Sequence, residues 1–288
     1  MRALVTGVTG QDGSYLAEQL AADGHEVFGL VRRHRPAPAG VRYLVGDLLD
    51  EPSLEQALRT ARPDEVYNLA AVTAPGAGWG APQPPLLADV TGVGVVRLLR
   101  AVARVCPTAS VVHASSSAVF DPHRYGLYGV SKRFAHDAVI GWRHELRCSN
   151  AVLYSHTSPR QDGRFLAPTI ASTVARANRG EPVRLRLTDV QGERDWGYAP
   201  DYMRALPLIA RARGAGDYTV ATGRTRTVWE FVEAALDAVG MDWDAVVDVQ
   251  QGPVAPAETP AFVEPIQALG WKPFTSFRDM VRLMVEAA

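Results

Sequence analysis

The stretch "RALVTGVTGQDGSYLAEQLAADG" constrains the fold more than any other part of this chain. A short apolar run ends in Gly7, and Gly7-x-x-Gly10-x-x-Gly13 leads directly into a segment of helical spacing. Tyr15, Leu16 and Leu20 share one side of that segment, and Gly24 is its stop signal. Glycine at such a junction permits a tight turn and a close approach of backbone to a ligand. The helix start then offers free N–H groups and a positive dipole end to an anion, a pyrophosphate above all. A glycine-rich turn of no special purpose is spelled the same way, but the preceding strand and following helix favour the phosphate cradle.

The alternation continues down the chain. "HEVFGLV" and "VRYLVGD" read as strands, "PSLEQALRTA" as a helix and "DEVYNLAA" as a buried strand. "DVTGVGVVRLLRAVARV" reads as one long helix, "ASVVHASSS" as a strand, "YGVSKRFAHDAVIGWRHEL" as a helix and "SNAVLYS" as a strand. Strands alternating with helices pair in parallel through right-handed crossovers, so the expected fold is α/β, a doubly wound parallel sheet. After about Ser155 the rhythm breaks into shorter pieces, with the proline-rich "GPVAPAETPAF" among them. The expected division is a first domain over 1–155, with return segments near 190–215, and a smaller domain made mainly of 156–288.

A chain of 288 residues that is 47% hydrophobic can bury a sizeable core. Its 30 basic and 31 acidic residues leave a formal charge of -1. That balance argues against nucleic-acid or membrane partners recruited by bulk charge. Cys106 and Cys148 have no metal-ligand company and fit a reduced, cytoplasmic setting, with no metal expected. "MRALVTGVTG" enters a strand without the apolar core of a signal peptide, and no run approaches the ~18 residues of a membrane helix. The six tryptophans, among them Trp142, Trp229 and Trp271, read most simply as core.

Two further motifs carry chemistry. Arg32 and Arg33 follow the second strand, where a fold of this kind that prefers NAD places an acid for the ribose hydroxyls. Two guanidiniums suit a 2′-phosphate, which points to NADP; a solvated basic loop is the other reading. Asp47, after the third strand, either accepts from an adenine amino group or caps the helix that begins near Pro52. Tyr128-x-x-x-Lys132 places a phenol and an ammonium on one helix face. The ammonium lowers the phenol pKa, and the phenol exchanges a proton with a hydroxyl or carbonyl as hydride moves. Ser116, at the C-terminal end of a strand, hydrogen-bonds the same oxygen. His113 on that strand is expected to be a packed histidine.

"ALVTGVTGQDGSYLAEQL", "DEVYNLAA", "DVTGVGVVRLLRAV", "RDWGYAPDYMRAL" and "DYTVATGRTRTVWEFVEAAL" resemble the GDP-mannose 4,6-dehydratase branch of the extended short-chain dehydrogenases/reductases over nearly the whole chain. The resemblance implies a Rossmann domain, a smaller C-terminal substrate-binding domain, a bound NADP and a nucleotide-sugar substrate. It makes Ser116, Tyr128 and Lys132 the catalytic residues. It places Gly7, Gly10, Gly13, Arg32, Arg33, Asp47 and Leu48 at the cofactor, with Ala70 and Ala71 beside it and Leu153, His156 and Arg160 near the nicotinamide. Arg194 of "RDWG" would face the substrate diphosphate, with Ser116 and Ser117 also at the substrate. Members of the resembled branch associate through helices of the Rossmann domain, so the resemblance implies a homodimer or homotetramer.

Departures from the family pattern bear on the reaction. The family reads alanine, serine, threonine, serine, glutamate where this chain has Ala114, Ser115, Ser116, Ser117 and Ala118. The carboxylate that serves dehydration is therefore lost at Ala118. A long substrate-covering segment is reduced to "DPHRYGL", and the arginine before the family's Pro-x-Glu is Ala255 in "APAE". The expected enzyme is an NADP-dependent oxidoreductase at a ring carbinol or ketone: keto reduction, oxidation or epimerisation. A 4,6-dehydratase with a relocated base, at Asp121 or His123, and a low-activity cofactor-binding partner subunit are the alternatives.

Overall fold

The computed structural model describes residues 1–73, 83–250, 252 and 258–288. The first half alternates as its sequence does: β1 (Arg2–Thr6), α1 (Gln11–Ala22), β2 (Glu26–Val31), β3 (Val41–Val45), α2 (Glu51–Ala61) and β4 (Glu65–Asn68). There follow α3 (Pro84–Ala88), α4 (Gly94–Val105), β5 (Ser110–Ser116), α5 (Gly126–Gly141) and β6 (Cys148–Leu153). β4 and β6 are buried at every position, as strands covered by helices on both faces must be.

The sheet is parallel throughout, in the order β11-β6-β5-β4-β1-β2-β3, where β11 is Asp217–Val220. The order in which the strands are laid down reverses between β1 and β4, which opens a crevice at the carboxyl ends of those strands. α1 packs Leu16 and Leu20 on one face, beside Tyr202 and Leu206 of α7 (Ala199–Arg211). On the other face α2, α4 and α5 bury Leu54, Leu58, Leu98, Leu99, Ala135 and Val139. This is the doubly wound, Rossmann-like arrangement that the alternation implies.

The second half begins with β7 (His156–Thr157), α6 (Leu166–Asn178), β8 (Leu185–Leu187), β9 (Glu193–Asp195) and β10 (Gly197–Tyr198). After α7 come β11 (Asp217–Val220), β12 (Thr225–Thr227) and α8 (Val228–Asp237). The returning segment runs on past 215, because β11 pairs with β6 as the seventh strand, Asp217 opposite Asn150. α6, α8 and the last helix, Phe277–Glu286, enclose a separate core around Ile170, Phe231, Val232 and Met284.

Three local readings need correction. The long helix expected from "DVTGVGVVRLLRAVARV" is an α-helix only from Gly94; Asp89–Val93 is a π-helical turn. That bulge turns Thr91 inward, where its hydroxyl accepts from Val72 N at 3.0 Å. The tryptophans are not uniformly core: Trp271 is 2% exposed, whereas Trp229 is 37% exposed and stacks on Trp243 with ring centroids 3.9 Å apart. Asp47 does not cap α2, whose N-cap is Asp50; its carboxylate instead accepts from Leu49 N at 3.0 Å. Among the described residues no helix is long and apolar enough to cross a membrane.

Candidate active site

A cavity of about 2180 Å³ opens over the carboxyl ends of β1, β4, β5 and β6. At one end lie Gly7, Gly10 and Gly13, with Arg32 and Arg33 at the end of β2 and Asp47 and Leu48 after β3. Ala70 and Ala71 follow β4 along the floor. Ser116, Ser117, Tyr128 and Lys132 line the middle, followed by Leu153, His156 and Arg160, with Arg194 at the far side. The structure therefore gathers all seventeen residues singled out for cofactor or substrate around one space.

The glycines are forced by geometry. Gly7 has φ +67, and a Cβ there would lie 2.8 Å from Ala70 N. A Cβ at Gly13 would stand 2.2 Å from Gly7 O, so any side chain would separate α1 from the loop. Thr6, which sequence reading passed over, pins the neighbouring loop. Its hydroxyl donates to Asn68 Oδ1 at 2.7 Å and accepts from Leu69 N and Ala70 N. Arg32 and Arg33 are exposed and have no acidic partner among the described residues.

β5 ends at Ser116, whose hydroxyl accepts from Ala118 N at 3.2 Å and caps a short helical turn over Ser117–Val119. Tyr128 and Lys132 stand four apart on α5 and face this turn. The lysine does not lower the Tyr128 phenol as its spacing suggested: burial pushes it up to about 12, opposed only by its hydrogen bond with Ser116. Lys132 Nζ donates to Ala114 O at 2.7 Å and lies 5.9 Å from the Tyr128 ring centroid. Burial brings that ammonium down to about 8, with Asp12 holding it from falling further. The phenol thus keeps its proton at neutral pH, and the lysine beside it is poised to change charge. Ala118, in the same turn, is 2% exposed and carries only a methyl group.

Two acidic residues at the site escaped the sequence. Asp12, in the first turn of α1, accepts from His156 Nε2 at 3.0 Å through both its oxygens. His156 Nδ1 faces Tyr154 O at 2.7 Å, so both ring nitrogens have acceptors. Burial would lower the imidazole, but Asp12 outweighs it and raises the pKa; Asp12 in turn is held low by His156 against its own burial. Glu258 reaches the cavity from the C-terminal segment and is 6% exposed. Its carboxylate accepts from Ser117 Oγ at 2.7 Å and from Asp195 N at 3.0 Å. The sequence offered one signal for Glu258, its place in "APAE", and none for Asp12 beyond a carboxylate set among glycines.

Other expected residues take more particular places. Arg160 lies over the Tyr15 ring at 4.0 Å and is bonded to Ser14 and Glu18, so its guanidinium is committed to α1. Arg194 sits over Trp196 at 5.7 Å. Next to it, Asp195 accepts from Thr222 N and Oγ1, Gly223 N and Arg224 N, which ties β9 to the "ATG" turn. His113 is buried and pairs with Asn68. Asp121 and His123 are exposed and do not line the cavity. Ala255 lies outside the described residues.

Comparison with known proteins places this site in context. A sequence model of the GDP-mannose 4,6 dehydratase family matches residues 4–284. GDP-mannose 4,6 dehydratase 2 of Arabidopsis thaliana is 33% identical over 321 residues, which cover 99% of this chain and 86% of that protein. The human GDP-mannose 4,6 dehydratase is 30% identical over 347 residues, 99% of this chain and 90% of its own. Among solved structures, the UDP-glucose 4-epimerase of Thermus thermophilus, in complex with NAD, superposes with a TM-score of 0.81 at 28% identity. The match covers 100% of this chain and 98% of that one.

Proposed function

We propose, for a chain that belongs to the GDP-mannose 4,6 dehydratase family, NADP-dependent oxidation and reduction at a ring carbinol of a nucleotide sugar, without efficient dehydration. The observation that carries this reading is the company around Ala118. Ser116 accepts from Ala118 N and is hydrogen-bonded to Tyr128, and Ala118 lines the same cavity as these two and Lys132 with a methyl group rather than a carboxylate.

The cavity fits a dinucleotide. At Gly7 and Gly13 a Cβ would clash with backbone, so the loop is kept bare and close. The start of α1 then offers N–H groups to a pyrophosphate, and exposed Arg32 and Arg33 offer guanidiniums to a 2′-phosphate. Bound there, a nicotinamide dinucleotide supplies or accepts the hydride. Tyr128 holds the proton that passes to or from the sugar oxygen, and Ser116 fixes that oxygen by a second hydrogen bond. Lys132 supplies the positive charge that makes a phenolate tolerable as the proton moves. Arg194, on β9 across the cavity, provides a guanidinium for the diphosphate.

The test is a single-turnover experiment: the protein, loaded with NADP, is mixed with GDP-, UDP- and dTDP-hexoses, and absorbance of reduced nicotinamide is followed. Reduction with at least one sugar, with every oxygen retained in the product mass, is the expected result. No reduction with any of them would refute the reading.

A further inference from the structure

We infer that Glu258 is a catalytic base of this site, one that removes and returns the proton on the sugar carbon next to the C4 ketone. This deepens the proposed function and rests on it.

The argument starts from position. Glu258 is carried into the cavity 141 residues after Ser117, whose hydroxyl donates to Oε1 at 2.7 Å. Ser117 is the residue between Ser116 and Ala118. The carboxylate is therefore fixed to the residue next to Ala118 in the turn that ends β5. Its other oxygen accepts from Asp195 N, so it is held between β5 and β9, between the hydride-transfer residues and Arg194. Each oxygen keeps a lone pair beyond the one used. Asp121 and His123 do not line this space, and Glu258 does.

The chemistry follows from the ketone. Once C4 is oxidised, hydrogens on its neighbouring carbons become acidic, because the electron pair of the broken C–H bond delocalises onto the carbonyl oxygen. The Glu258 carboxylate takes the proton and becomes a carboxylic acid. The enolate oxygen is held by Ser116 and Tyr128. Return of the proton from Glu258 to the same carbon restores the ketone, with no net redox change. A proton delivered from the opposite face by water inverts the carbon, and Glu258 then releases its own proton to the hydroxide that remains, which restores the carboxylate. Burial pushes the carboxyl of Glu258 up, opposed by its bonds from Asp195 N and Ser117, and a shielded carboxylate is a stronger base than a wet one. Arg194, Asp195, Tyr125, Tyr154 and Tyr202 are the charged and titratable groups that act on it.

The experiment bypasses hydride transfer. Full-length protein with NADP⁺ is incubated in D2O with GDP-, UDP- and dTDP-4-keto-6-deoxyhexoses, and deuterium at C3 and C5 is read by NMR. The protein should accelerate exchange in at least one of them, and Glu258→Gln should cut that rate by about 100-fold or more. The glutamine still accepts from Asp195 N and can bond Ser117, so a strut would survive the change. Ser117→Ala removes the donor that favours the ionised carboxylate and should move the midpoint of the exchange pH profile upward. Exchange no faster than buffer, exchange undiminished in Glu258→Gln, or an unmoved midpoint in Ser117→Ala would each overturn the assignment. Cofactor reduction by unoxidised sugars, measured separately, reports on the proposed function alone.

Discussion

His156 and Asp12 form an ion pair, Nε2 lying 3.0 Å from both carboxylate oxygens, that joins the first turn of α1 to β7 across the floor of the cavity. The side chains are 14% and 25% exposed, so the pair is shielded but not dry. It also sits beside Lys132, whose charge Asp12 supports.

The first prediction concerns pH and stability of the cofactor-free protein. Asp12 is held below its ordinary value of 3.8, so its contribution is present above that value and fades as pH falls through the lowered one. His156 is raised above 6.5, so its contribution is complete below 6.5 and is lost as pH rises through the raised value. The pair therefore stabilises most between these limits. His156→Ala leaves Asp12 without its partner and should destabilise the protein by about 3 kcal/mol near pH 6, the low end for a shielded pair. Urea titrations of both proteins across pH give the difference; a constant difference from pH 5 to pH 9 would refute the pairing.

A second prediction concerns the proton donor. Tyr128→Phe should lower single-turnover hydride transfer by about 10²–10⁴-fold while leaving cofactor affinity nearly unchanged. Ketone reduction by the unaltered protein should slow as pH rises through about 8, where Lys132 loses its charge. Stopped-flow traces at several pH values check both. Full-rate transfer in Tyr128→Phe would remove the phenol from the mechanism.

The cofactor makes a third. Arg32 and Arg33 are exposed at the edge of the cavity, with no acidic partner among the described residues. Arg32→Ala should weaken NADPH about 10-fold or more and NADH little, since one bond to a charged group is worth about 1.5–3 kcal/mol. Fluorescence titration with both cofactors decides it. Equal affinity of the unaltered protein for the two would mean that these arginines form only a solvated loop.

What could be read from the sequence was local. Gly7, Gly10 and Gly13 lie within one turn and its helix, and Tyr128 and Lys132 within one turn of α5. Spacing alone brings such residues together. Strands β4 to β6 announced themselves as apolar runs because a parallel sheet buries both faces. The Asp12–His156 and Ser117–Glu258 contacts span 144 and 141 residues, and no periodicity encodes them. The π-turn at Asp89–Val93 was hidden for a different reason. Its residues fit a helical pattern, and only the demand of Val72 N for the Thr91 hydroxyl shows why an extra residue is accommodated there.

The last prediction concerns Ala118. Dehydration of a 4-keto hexose needs a proton taken from C5 and another delivered to the departing oxygen at C6, since hydroxide is a poor leaving group. In its proposed role Glu258 serves the ring carbon, but position 118 carries only a methyl group, 2% exposed, and can deliver no proton. The protein should therefore retain the C6 oxygen of GDP-mannose on long incubation with NADP⁺. Ala118→Glu should restore some dehydration, because Ser116, Tyr128 and Lys132 already frame the site. The gain should fall short of the full ~10²–10⁴-fold of a general acid–base group. A carboxylate forced into a buried methyl's place must displace its neighbours before it can reach C6. Mass spectrometry of the sugar nucleotide reads the outcome as loss of one water. Such loss from the unaltered protein at about 1 per second, an ordinary enzymatic rate, would show that the acid for the leaving oxygen lies elsewhere in the cavity.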